Sequence, residues 1–411
     1  MPQPATRVAK HQIHAVSAGF FGWMLDAFDF FVVVFLVDIL AAQFHVSKAA
    51  IVLTTTFTLA TRPLGAFIFG LLADRYGRRV PLMANVIYFS LIELLCGFSP
   101  NYAVFLVLRT LYGIGMGGEW GVGASLAMEM APRRWRGVLS GILQSGYSCG
   151  YLLAAVAART VLPMWGWRAM FWVGGLPALL ALYIRAKVPE SGAWQQSRAH
   201  STGAILKTVG SEWPLFAYLV LLMTFMNCLS HGTQDLYPDF LKWAHSVPAP
   251  TAANIAMISA AGMIVGAVIF GRLSDWIGRR WAAICALVLS LAVIPIWAFG
   301  GSLGVLITGA FLMQAGVQGA WGIIPAHLNE LAPDAVRGLL PGLAYQLGVL
   351  IASPTNAIEY ALRDRWGYKW AMAGYEIAVM LVLTVVLLTG RERRGRAFIA
   401  EAVEEPAALP R

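Results

Sequence analysis

The chain has 411 residues, 58% of them hydrophobic and only 12% charged, with a mean hydropathy of +0.66. Soluble domains carry about 25% charged residues, so a water-soluble globular protein is excluded and an all-α polytopic membrane protein is expected. The net charge of +9 does not imply nucleic acid, because the basic residues sit in short segments beside apolar runs, where they set topology. Cys96, Cys149, Cys228 and Cys285 stand singly in apolar runs without CxxC or metal spacing. They read as small core residues. No metal and no bound cofactor is expected, and no nucleophile–base pair or phosphate loop suggests an enzyme.

Twelve membrane spans are expected, at roughly 17–41, 49–73, 80–98, 102–130, 137–161, 168–186, 213–240, 251–273, 280–299, 303–330, 337–361 and 370–390. Residues 1–16 are polar and basic, and the first apolar run is too long for a signal peptide, so no cleavable leader is expected. An even span count puts both ends on one side. That side carries Arg7, Lys10, Arg75, Arg78, Arg79, Arg133, Arg134, Arg136, Arg272, Arg279, Arg280, Arg337 and the 391–396 cluster. The positive-inside rule places it, and both termini, in the cytoplasm of a cell (inner) membrane. Residues 189–212 form one long polar loop, a cytoplasmic linker between six-span halves at 17–188 and 213–390. Residues 1–16 and 391–411 are the terminal cytoplasmic segments.

In chain order, the polar residues inside these spans are few. Span one holds Asp26 and Asp29, at i and i+3 on one helix face. Span two holds Arg62, twelve residues from Asp74 or about 18 Å along a helix, which is close to mid-membrane. An intramembrane Arg stays charged and needs a partner. Its planar fork suits a carboxylate, either a solute's or that of Asp26, Asp29 or Glu119. Span four opens on Arg109, followed by Gly113, Gly115, Gly117 and Gly118 for close helix approach, and then Glu119 near mid-membrane. Span five offers Gln144 and Tyr147, span ten Gln314 and Gln318, and span eleven Tyr345 and Gln346.

Span seven carries the densest polar pattern, NCLSHGTQDLYPD at 227–239. Asn227, Ser230, His231, Gln234 and Asp235 fall at i, i+3, i+4, i+7 and i+8, on one helical face. Such a face does not point at acyl chains. It faces other helices or a water-filled cavity, and reads as a solute-binding face. His231 beside Asp235 at i+4 forms a candidate proton-handling pair. Asp26, Asp29 and Glu119 are the other candidates for proton coupling.

The halves repeat. GLLADRYGRR at 70–79 returns as GRLSDWIGRR at 271–280, an offset of 201 (271 − 70). EMAPRRWRG at 129–137 and WGWR at 165–168 return at the same offset as ELAPDAVRG and WGYK. Charges present in both halves read as scaffold. Asp74, Arg75, Arg78, Arg79, Glu129 and Arg136, with Asp275, Arg279, Arg280, Glu330 and Arg337, are expected to form a cytoplasmic gate. Arg62, Arg109, Glu119 and Asp26 map instead onto Met263, Ala310, Ala320 and Asn227. The duplicated scaffold does not require those charges.

The GxxxDxxGRR and ExAPxxxRG motifs, their positions and their repetition resemble the major facilitator superfamily over nearly the whole chain. The 227–235 segment resembles the signature of its lactate- and sialate-type proton symporters, although Asp239 stands where that pattern has Thr. Thr61–Pro63, the 117–121 GGEWG and the 345–348 YQLG also look like this branch. The resemblance implies twelve transmembrane helices in two pseudo-symmetric six-helix bundles and a monomer that moves a small organic carboxylate with a proton. The residues themselves give the candidate substrate contacts as Arg62, Asn227, Ser230, His231, Gln234, Tyr345 and Gln346, proton coupling through Asp26, Asp29, Glu119, His231 and Asp235, and a supporting role for Arg109; the resemblance associates His231 and Asp235 with affinity and coupling. A sugar acid, sialate or aromatic acid would use the same scaffold. A non-transporting receptor should need a longer signalling tail than residues 391–411 provide.

Overall fold

A computed structural model describes residues 5–197 and 201–398, with side chains from Lys10 onward. The expectations for residues 1–4, 198–200 and 399–411 lie outside the described residues. The first half comprises α1 (Ala5–Phe44), α2 (Lys48–Tyr76), α3 (Arg79–Cys96), α4 (Tyr102–Met130), α5 (Arg136–Val173) and α6 (Ala178–Lys187). The stretch read as a polar loop holds two short helices, α7 (Gly192–Ser197) and α8 (Thr202–Ser211), each half-wetted and laid along the bundle ends. The second half comprises α9 (Trp213–Gln234), α10 (Tyr237–His245), α11 (Ala249–Ile277), α12 (Arg279–Phe299), α13 (Leu303–Leu331), α14 (Leu340–Ala352), α15 (Thr355–Trp366) and α16 (Tyr368–Thr389).

These helices make the twelve crossings of the two-bundle fold, and eight are long and apolar enough to span a bilayer alone. Four expected spans differ in detail. Spans five and six share α5, which turns at Gly166 with φ 74°, a left-handed value that glycine adopts without Cβ strain. Span seven breaks between α9 and α10, where Pro238 sits in the first turn of α10. Span eleven breaks between α14 and α15 at Pro354. Proline supplies no N–H to the preceding turn, so each break falls where the sequence removes a helical bond.

Close backbone approach holds each half together. A Cβ on Gly117 of α4 would lie 1.9 Å from the Arg62 carbonyl oxygen of α2. In the second half, a Cβ on Gly266 of α11 would lie 1.9 Å from the Ala315 carbonyl of α13. Only the missing side chain permits these contacts.

The halves meet at the arginine-rich face through two symmetry-related charge networks. Asp74 of the first half accepts from the backbone N–H groups of Gly338 and Leu339, at 2.8 and 2.9 Å, and so caps the start of α14 in the second. Asp275 of the second half likewise accepts from Gly137 and Val138 of α5, at 2.7 and 3.1 Å. Exposed amides at a helix start favour a carboxylate in this position. Arg78 bonds Asp74 at 2.5 Å and Glu129 at 2.9 Å, and Arg337 reaches Glu129 from the other half at 3.3 Å. Arg279 bonds Asp275 at 2.8 Å and Glu330 at 2.9 Å, and Arg136 reaches Glu330 at 3.3 Å.

Three expected gate members lie outside these bridges. Arg79 donates to the Arg185 carbonyl at the end of α6, and Arg280 to the Leu387 carbonyl at the end of α16, so each ties helices within its own half. Arg75 lies against the Tyr76 ring.

The segment after α16 closes this face. Arg136 donates to the Arg396 carbonyl at 2.9 Å, and Arg396 donates to the Ala332 carbonyl at 2.8 Å. Phe398 is fully buried, with its ring 4.0 Å from the Arg136 guanidinium carbon and 3.8 Å from that of Arg337. These arginines belong to opposite halves, so the phenyl seat exists only while the halves are together. Burying a Phe side chain stabilises by about 1.5–3 kcal/mol, and the cation–π contacts add to it. Phe398→Ala should therefore shift the population toward separation of this face by about tenfold or more. Spin labels at the exposed Tyr76 and Trp281 positions should report a longer distance distribution in the variant.

Candidate functional site: a charged cavity between the halves

A cavity of about 60 Å³ lies between the bundles. The first half contributes Trp23, Arg62, Gln144 and Tyr147 to its wall, and the second contributes Asn227, Ser230, His231, Gln318, Trp321 and Tyr345. Its volume suits a few waters or a small solute rather than a drug-sized ligand, whose pockets hold roughly 300–1,000 Å³. A second cavity of about 550 Å³ lies on the arginine-rich face, lined by Glu212, Tyr218, Arg391 and Arg393 among others. Its walls come from the linker, the second half and the tail alone, so it is off the path between the bundles.

Arg62 dominates the central wall. It is 5% exposed, and its Nε and Nη2 have no hydrogen-bond partner among the described residues. Its guanidinium carbon lies 5.6 Å from the Tyr345 ring centroid in the other half, and the Asp26 carboxyl acts on it through space. The permanent ion pair with Asp26, Asp29 or Glu119 that the sequence left open is not formed. Burying a guanidinium without a counter-ion is costly, and a cation–π contact recovers only about 0.5–2 kcal/mol. Arg62 thus lines the cavity with two donors of its planar fork left without a partner among the described residues.

Aromatic rings complete the enclosure. Trp23 stacks on Tyr147 with centroids 5.7 Å apart. Tyr345 packs against Trp120 at 4.7 Å and Trp321 at 5.6 Å. Trp120 Nε1 donates to Gln144 Oε1 at 3.2 Å and Trp321 Nε1 to the Met226 carbonyl at 3.2 Å. The repeated tryptophans therefore fix rings at the cavity edge.

The remaining acids of the first half lie behind Arg62. Asp26 Oδ1 accepts from the Tyr112 hydroxyl at 3.2 Å, and Oδ2 has no partner. Both oxygens of Asp29 and both of Glu119 are buried without partners. Glu119 does not line the cavity. It fills the space that Gly22 leaves on α1, where a Cβ would stand 2.1 Å from Glu119 Oε1. Arg109 pairs at 2.6 Å with Glu93 and lies over the Tyr112 ring at 4.2 Å. Glu93 escaped the sequence reading, yet it meets the same criterion as Arg62: its counterpart in the repeat is Ile294.

The polar stripe of α9 divides. Asn227, Ser230 and His231 line the cavity. Gln234 reaches sideways, donating to Ser230 Oγ at 2.9 Å and Gln314 Oε1 at 3.0 Å. Asp235 stands just past the helix end, 3.0 Å from His231 Nδ1 and 3.0 Å from Asn356 Nδ2. The His231 and Asp235 side chains are 34% and 38% exposed. With the arginine-rich face closed, the site is wetted from the opposite side. Gln346 is not among the lining side chains and donates to the Gly117 carbonyl at 3.4 Å, bridging α14 to α4. Asp239 pairs with Lys242 at 2.5 Å, away from the cavity. Two further acids, Glu359 on α15 and Glu376 on α16, were missed because their spans otherwise read as apolar or as an outer loop. No group of three or more metal-ligating side chains occurs among the described residues.

The sugar (and other) transporter family model matches residues 14–211 and 216–392. The chain is 31% identical to a probable 4-methylmuconolactone transporter of Cupriavidus pinatubonensis, covering 95% of this chain and 93% of that one. It is 30% identical to a carboxylic acid transporter protein homolog of Saccharomyces cerevisiae, covering 90% of this chain and 65% of that longer protein. It is 26% identical to the sialic acid transporter NanX of Escherichia coli, covering 95% and 97%. Among solved structures, the proton:xylose symporter XylE superposes with a TM-score of 0.76 at 20% identity, covering 97% of this chain and all of that one. A duplicated helical scaffold, a closed charge network at one face and a family match over both halves lead to one conclusion: this chain belongs to the sugar (and other) transporter family.

Proposed function

We propose that the protein is a proton-coupled symporter of a small organic carboxylate, lactate- or pyruvate-like, working as a monomer in the cell membrane with both termini in the cytoplasm. The observation that carries this reading is the unpaired fork of Arg62 in the cavity wall. A carboxylate there would take two parallel charge-assisted hydrogen bonds and neutralise the buried cation. Asn227, Ser230, Gln144 and Gln318 would meet the rest of the solute. Names of relatives support an organic acid as cargo: carboxylic acid, muconolactone and sialic acid transporters. The Asp74 and Asp275 networks hold the cytoplasmic side shut in this state, and their exchange for water would open it. His231–Asp235 and the acids behind Arg62 are the groups from which the coupled proton is drawn.

The ring of Trp23, Tyr147, Trp321 and Tyr345 favours a second reading, an unsaturated or aromatic acid whose π face stacks between them. Thermal stability of the purified protein with lactate, pyruvate, cis,cis-muconate, nicotinate and sialate separates the two. A ligand at a hundred times its Kd stabilises by about 2.7 kcal/mol. Stabilisation by lactate or pyruvate alone supports the first reading, and by muconate or nicotinate alone the second.

Arg62→Lys keeps the charge and loses the fork. Uptake of the stabilising acid into vesicles should fall by about tenfold or more, with the variant still inserted and folded. Uptake near the wild-type level would remove Arg62 from the site. Asp235→Asn and His231→Ala should reduce accumulation driven by a pH gradient more than they reduce counterflow exchange. Equal loss of both activities would leave this pair without a role in coupling.

A further inference from the structure

Outside the central cavity, the second half buries two acids that the proposed mechanism does not use. Glu359 of α15 and Glu376 of α16 are each 0% exposed, and none of their four carboxylate oxygens has a hydrogen-bond partner. Both converge on Gly232 of α9. A Cβ built there would stand 2.0 Å from Glu376 Oε1 and 3.2 Å from Glu359 Oε1. Laid end to end, those distances put the two oxygens no more than 5.2 Å apart.

No cation offsets them. The titratable groups that face the pair are Asp235 and Cys228 from α9 and its end, and Tyr375 and Tyr368 from α16. Tyr375 is bonded to Thr355 of α15 at 3.0 Å, and His231 is bonded to Asp235. Every fixed charge in that shell is negative or neutral unless His231 is protonated. Two carboxylates this close in a low-dielectric interior do not both ionise. The scaffold does not demand them either, since the repeat has Ala158, Gly175 and Phe31 where the second half has Glu359, Glu376 and Gly232. The missing side chain at 232 is what admits Glu376 against the α9 backbone.

We propose that Glu359 and Glu376 form a proton-binding pair in the second half, holding at least one proton beside the His231–Asp235 couple. The proton comes from solvent that reaches the half-exposed Asp235 and returns by the same path; no other atom is exchanged. Its part in transport rests on the proton-coupled reading above, whereas its occupancy does not. The pair sits on α15 and α16, which pack on α9, so its charge acts on the helix that presents Asn227, Ser230 and His231 to the solute.

Infrared spectroscopy of the full chain in lipid vesicles tests this without any substrate, because a protonated carboxyl has its own carbonyl stretch. Wild type is compared at neutral pH with Glu359→Gln, Glu376→Gln and the double variant, in sodium and in potassium buffers of equal ionic strength. The wild-type minus double-variant spectrum should contain the intensity of at least one protonated carboxyl. In each single variant the band should move, since the acid's partner has become an amide; one folded single variant suffices. Spectra of the variants that superimpose on wild type would overturn the proton-binding pair. Loss of the wild-type band in sodium but not potassium would make the pair a metal-cation site instead. Arg62→Lys should keep the band, so failure of solute recognition and failure of the proton pair are read separately.

Discussion

A guanidinium buried in a bilayer-spanning bundle needs a counter-charge, and among the described residues Arg62 makes no direct ion pair, the Asp26 carboxyl acting on it only through space. Arg62 is held by the tight α2–α4 contact at Gly117, with two nitrogens unpaired among the described residues and a tyrosine ring from the opposite half beside it. The cost of such a charge is of the order of several kcal/mol. On the proposed reading, an arriving solute carboxylate would offset that cost, and the second half's wall would then contribute to binding.

The duplication explains what is common and what is not. The shared residues close one face through paired carboxylates that cap helix starts across the interface. Each half thereby holds the other's backbone, so separation breaks both sets together. The unshared charges divide between the halves. Arg62, Asp26, Asp29, Glu93 and Arg109 occupy the first half, while His231, Asp235, Glu359 and Glu376 occupy the second.

Much of this was legible in the sequence. Periodicity, charge asymmetry and the 201-residue repeat predict the helices, the two bundles and the paired charge network. The α9 stripe predicts Asn227, Ser230 and His231 at the cavity, because helical spacing fixes direction. Gln234 and Gln346 share the chemistry but not the neighbours: which amide meets a partner helix depends on tertiary contacts with Gln314 and Gly117. The proline breaks at 238 and 354 were present as signals but were absorbed into long apolar runs. Glu359 was hidden by the charged segment that follows it, and Phe398 by the absence of any pattern linking a tail to two distant arginines.

The repeat also sets a difference between the cavity walls. Gln314 and Gln318 of α13 occupy the places that Gly113 and Gly117 fill in α4. One wall therefore presents a fixed positive charge and the other presents neutral amide, hydroxyl and imidazole groups. A guest with two chemically unlike ends would find one favourable heading and one poor one. The pocket is polar in the vectorial sense, and it would admit such a molecule head-first rather than in either sense.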